Sequence, residues 1–141
     1  CANAIYRKIL TGRPRPSPVK VVDVFPFNME LDLLELRLWE LDPVVDVFVI
    51  AEYAWDHKWS PKPPTFLRNT KRFDRFLHKI FHVIPTEEQM RVDGVLVNIE
   101  KHPRLFLVKH YVDTFGPSKS TVFVFGDVDE FPSTQHLWYL K

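Results

Sequence analysis

The sequence predicts an α/β fold with a mostly parallel sheet flanked by helices. Short β-branched and aromatic runs at residues 19–25, 44–50, 79–84 and 122–125 are separated by leucine- and valine-patterned segments at 29–41 and 104–115. That order is strand, helix, strand, loop with a short helix, strand, helix, strand, the signature of parallel strands joined by right-handed crossovers. The run at 44–50 is apolar on both faces except at Asp46, as a strand covered on both sides should be. No internal repeat or low-complexity tract competes with this picture.

Each element has a local cause. Residues 1–10 are loosely apolar, and residues 11–18 carry Pro14, Pro16 and Pro18, which remove donors and fix φ, so residues 1–18 read as a linker or arm. The domain is then 19–141. The first strand spans 19–25, is interrupted by Asp23 and ends at Pro26. Asn28 is the expected N-cap of a helix over 29–41, with Glu30 and Asp32 near its positive end and Leu31, Leu34, Leu38 and Leu41 on one face. Glu52 follows the second strand at its carboxyl end. The loop 53–64 holds Trp55, His57, Trp59 and three prolines; its tryptophans either stack on a ligand or cover one edge of the core. Residues 72–78 read as a short helix. His82, in the third strand, is expected to be packed or hydrogen-bonded, because no second histidine lies at ligand spacing. Residues 86–98 carry no clear pattern. The helix at 104–115 stops at Gly116, with Pro117 behind it.

The fourth strand leads into Gly126-Asp127-Val128-Asp129-Glu130-Phe131-Pro132. If the extended conformation persists, alternation points Asp127 and Asp129 to one side and Val128 to the other. Two oxygen ligands presented this way suit a hard divalent cation, Mg²⁺ or Mn²⁺, which keeps positions open for substrate phosphate oxygens. The same residues also make an ordinary acidic turn. Their place at the carboxyl end of a strand, where ligands gather in open α/β sheets, favours the site. Ser133 is placed to cap a short helix running to residue 140.

Length and composition set bounds. A chain of 141 residues suffices for one domain with a core. It begins with Cys1 and stops about a dozen residues past the acidic cluster, so it reads as an excerpt of a longer protein. A formal charge of +1 gives no reason to invoke nucleic acid or an anionic membrane. The single cysteine excludes an internal disulfide and a cysteine-based zinc site. No apolar run approaches the roughly 18 residues of a membrane span, so anchoring would need a preceding segment.

Several of these segments together resemble glycosyltransferase family 17. They are residues 20–52, Pro61-Lys62-Pro63, and Asp127-Val128-Asp129-Glu130-Phe131-Pro132, in the family's order and at about its spacing. The resemblance implies a GT-A type, Rossmann-like donor-binding half, with UDP-GlcNAc as donor, Mn²⁺ or Mg²⁺ as cofactor and a mannose of an N-glycan-like acceptor. It implies that Asp129 ligates the metal and that Asp127 holds the metal or the ribose. It places Asn28, Glu30 and Glu52 at the uridine. Arg104, four residues after Glu100, is implied at the diphosphate, its other role being the helix-surface partner of Glu100. Forming a β-1,4 linkage from an α-linked donor inverts the sugar and needs a carboxylate base, which is expected downstream of Lys141. A Golgi location follows from the resemblance alone. Departures stand at Tyr53, Asp56, Trp59 and Pro103. Two other functions fit parts of the pattern: an inactive interaction module on the same fold, and a haloacid-dehalogenase-type phosphatase with Asp127 as nucleophile. The second is disfavoured because three strands precede the motif.

Overall fold

Alternation along one central strand divides the molecule into two cores. The computed structural model describes residues 16–56, 58, 60–92, 95–96 and 103–141. In chain order these form β1 (Lys20–Phe27), α1 (Leu31–Leu41), β2 (Val47–Glu52), α2 (Thr65–Arg68), β3 (Ile80–Val83), β4 (Arg91–Val92), β5 (Val95–Leu96), α3 (Pro103–Phe115), β6 (Thr121–Phe125) and α4 (Thr134–Leu140). Short 3₁₀ turns at Thr70–Phe73, Leu77–Lys79 and Glu88–Met90 fill the connections.

The sheet has the order β3-β2-β1-β6, and every ladder in it is parallel. Val21, Phe25 and Phe27 of β1 face one side, where Leu34, Leu38 and Leu41 of α1 pack with Phe48, Ile50, Phe66, Phe73 and Phe76. Val22 and Val24 face the other, against Val49, Ala51, Met90 and the α3 residues Leu107 and Tyr111. Helices therefore cover both faces, giving a Rossmann-like α/β arrangement. Among the described residues no helix is long and apolar enough to cross a membrane.

The chain moves outward from β1 to β2 and β3, then returns to place β6 on the opposite flank of β1. Strand order thus reverses between β1 and β6, and in open α/β sheets the crevice at such a reversal, at the strands' carboxyl ends, is where ligands sit.

Several boundaries differ from the sequence expectation. β1 runs through Pro26 because β6 pairs it only as far as Val24; beyond that point one flank is open, and a residue without an N–H is tolerated. The first helix starts at Leu31 rather than Met29, so Asn28 is not its N-cap; Glu30 occupies that position, and its carbonyl accepts from Leu34 N–H. Val44 and Val45 are buried, but in the turn after α1, and β2 begins only at Val47. Apolarity there reports burial, not strand. The patternless stretch after Pro85 holds a 3₁₀ turn and a separate antiparallel β4–β5 pair. Gly116, at φ 82, stops α3 as expected.

Candidate metal and donor site at the carboxyl edge of the sheet

β6 ends at Phe125, and the next residues turn. Glu130 N–H donates to the Asp127 carbonyl at 2.9 Å, closing a tight loop over Asp127, Val128 and Asp129. A Cβ on Gly126 would lie 2.2 Å from the Glu130 carbonyl oxygen, so only glycine allows the chain to fold back this closely. Val128 tucks into the core beside α1, while Asp127, Asp129 and Glu130 are exposed. The two aspartates are therefore presented by a turn and not by the continued strand alternation expected from the sequence.

The turn is held from behind by a residue that the sequence reading passed over. Arg37 of α1 is completely buried, and so is Asp23 in the middle of β1. Arg37 Nε donates to Asp23 Oδ2 and Nη2 to Oδ1, both at 2.8 Å, a bidentate pair. Its remaining nitrogen, Nη1, donates to the backbone carbonyls of Asp127 at 2.6 Å, Glu130 at 3.0 Å and Val128 at 3.3 Å. The guanidinium lies over the Phe25 ring, 4.2 Å from its centroid, with Phe131 also within reach. Burial pushes the Asp23 carboxyl up, opposed by the hydrogen bonds and charge of Arg37. One signal for this arrangement was available. Residue 37 lies three after Leu34 and four before Leu41, on the stripe that faces the core.

At the neighbouring strand ends the acidic residues are already engaged. One oxygen of Glu30 accepts the backbone N–H groups of Asn28 at 3.2 Å and Met29 at 2.9 Å. Glu52 is fully buried; its Oε1 accepts Phe66 N–H at 2.9 Å and its Oε2 lies 3.1 Å from His82 Nε2. His82 is accordingly a hydrogen-bonded histidine, and its ring packs on Phe66. Lys62, from the Pro61-Lys62-Pro63 segment, donates to the Asn28 carbonyl at 3.1 Å. Burial pushes the Lys62 ammonium down, against the opposing charges of Glu52, Glu30 and Asp56. Two buried side-chain atoms have no partner among the described residues: Asn28 Oδ1, just past the end of β1, and the Tyr53 hydroxyl, just past β2. Burial pushes the Tyr53 phenol up.

In the loop after Tyr53, Trp55 makes an isolated bridge to Pro61, and Asp56 Oδ1 accepts the N–H groups of Lys58 and Ser60. His57, Trp59 and Glu100 lie outside the described residues. Arg104 lies in the first turn of α3, which opens with Pro103 at a position where its missing N–H does no harm. Ser133 caps α4 as expected, its side chain accepting from His136 N–H.

The donor chemistry suits a hard cation. Among the described residues no three His, Cys, Asp or Glu side chains cluster into a closed cage. What the turn offers is a pair of exposed carboxylates, and Mg²⁺-like ions are commonly held by one or two carboxylates with water and substrate phosphates completing the shell.

Comparison with known proteins identifies the family. The family model for glycosyltransferase family 17 matches residues 6–141. Beta-1,4-mannosyl-glycoprotein 4-beta-N-acetylglucosaminyltransferase of Rattus norvegicus is 30% identical over 133 residues, covering 91% of this chain and 24% of the relative. The Homo sapiens protein of the same name is also 30% identical, with 91% and 25% covered. The Mus musculus protein is 29% identical over the same length. This chain spans about a quarter of the length of these relatives. No solved structure matches. On the family match across nearly its whole length, the chain belongs to glycosyltransferase family 17.

Proposed function

We propose that this chain forms the donor-binding half of a metal-dependent, inverting glycosyltransferase of GT-A type. It transfers N-acetylglucosamine from UDP-GlcNAc to a mannose of an N-glycan-like acceptor in β-1,4 linkage. The observation that carries this reading is the clamped turn after β6: two exposed aspartates at the strand-order reversal, in a chain of this family. Asp129 and Asp127 would hold Mn²⁺ or Mg²⁺, which when bound neutralises charge on the leaving diphosphate.

The other residues act without the ion. Asn28 offers a buried, unpartnered oxygen that a ligand N–H would satisfy, and Asn28 is where the family resemblance implies the uridine. Glu30 fixes that segment by accepting its two N–H groups, and Lys62 fixes it from the other side through the Asn28 carbonyl. Glu52 ties the end of β2 to α2 through Phe66, with both carboxylate oxygens committed to protein groups. Arg104 is proposed at the diphosphate on the family pattern alone.

The test is transfer of labelled GlcNAc from UDP-GlcNAc to a bi-antennary N-glycan by the intact protein, with Mn²⁺ or with EDTA. Metal-dependent product is expected, resistant to β-1,4-sparing hexosaminidases. A folded protein that transfers nothing, or transfers equally in EDTA, refutes the metal-dependent reading.

A further inference from the structure

We propose that Arg37, locked by Asp23, is a positioning residue that holds the turn in the one arrangement in which Asp127 and Asp129 accept a divalent cation. The inference rests on reading that turn as the cation site.

Three features of the contact carry it. Arg37 is fixed at both ends, with two nitrogens on Asp23 and the third on three carbonyls of the turn. Besides this, the turn has its own internal bond, Glu130 N–H to the Asp127 carbonyl, and Val128 seated in the core, so it is Arg37 that sets the direction of the three carbonyls. Second, backbone carbonyls are themselves good ligands for hard cations. By drawing those of Asp127, Val128 and Glu130 inward, Arg37 leaves the carboxylates as the groups that face outward. Third, a lone guanidinium directly behind a cation site would repel the ion. Paired with Asp23 the unit is neutral overall, so the site gains rigidity without a repelling charge. Lysine cannot replace the fork, because an ammonium is a point donor that cannot span Asp23 and three carbonyls together.

The rival is that the pair is only part of the core. Two variants of the intact protein separate the roles: Arg37→Lys, and the double variant Asp23→Val/Arg37→Met, which swaps the buried pair for apolar groups and leaves no stranded charge. Mn²⁺ uptake in the presence of UDP is read from the paramagnetic resonance of free Mn²⁺, and UDP binding in EDTA from calorimetry. The expected result is native near-ultraviolet circular dichroism, unchanged UDP affinity in EDTA, and a Mn²⁺ affinity about 10–100-fold weaker, the usual effect of removing a group that orients metal ligands. A folded variant of either kind with wild-type Mn²⁺ affinity overturns the proposal and leaves a core ion pair. So does failure of both variants to fold, since the apolar swap is expected to preserve the core. Absence of Mn²⁺ uptake by the wild type is a separate result: it removes the cation site itself, and this role with it.

Discussion

Replacing Arg37 with Met should cost this protein about as much stability as truncating a core leucine, because it strands Asp23. The carboxylate sits at 0% exposure and loses two 2.8 Å hydrogen bonds and the counter-charge it pairs with. Breaking a buried pair from one side costs about 3–5 kcal/mol. Against the roughly 5–15 kcal/mol that a domain has in total, this is a large fraction. The double variant Asp23→Val/Arg37→Met removes the stranded charge and should come back to within about 2 kcal/mol of wild type, the residue being unpaired turn carbonyls. The pH dependence has a defined sign. Burial already places the Asp23 carboxyl above its ordinary value of 3.8 while Arg37 opposes that rise, so without Arg37 it moves higher still. A carboxyl raised on folding contributes stability below its unfolded value and loses it as pH rises through the folded one. The gap between Arg37→Met and wild type should therefore be smallest near the ordinary carboxylate range and widen toward neutral pH. Urea unfolding followed by tryptophan fluorescence, at about pH 5 and about pH 8, measures it. A single variant within about 1 kcal/mol of wild type, or a double variant as unstable as the single, would refute the reasoning.

Gly126→Ala forces a Cβ against the Glu130 carbonyl, so the turn must open; thermal unfolding should show a loss of about 1–3 kcal/mol, and Mn²⁺ affinity should fall with it. A normal melting curve with normal metal uptake would show that the turn has slack. Glu52→Ala leaves Phe66 N–H buried without an acceptor and should destabilise by about 1–3 kcal/mol in urea titration. An unchanged midpoint there would mean that water replaces the carboxylate.

How much of this was legible in the sequence differs from residue to residue. The strands and the two long helices announce themselves through local period, and the acidic turn through its place after a β-rich run. Burial and strand are not the same signal, however, which is why Val44 and Val45 misled the start of β2. The cap was misplaced for a similar reason: Asn28 is a good capping residue, but the Glu30 carboxylate reaches its backbone first. The clamp was the least visible feature. Asp23 looked like an interruption and Arg37 drew no reading at all, because their meeting across 14 residues is a tertiary event. The bond from Arg37 to the turn, across 90 residues, has no local signature at all. Only the position of Arg37 on the leucine stripe hinted that it faces inward.

The most direct test of the central claim is calorimetric titration of UDP and UDP-GlcNAc into the intact protein, with Mn²⁺ and with EDTA, for wild type and Asp129→Asn. Binding that is strengthened by Mn²⁺ in the wild type and has lost that gain in the variant is the predicted result. Equal binding in Mn²⁺ and EDTA, or a metal-dependent gain that survives in Asp129→Asn, would contradict the assignment of the turn after β6 as the site where metal and donor meet.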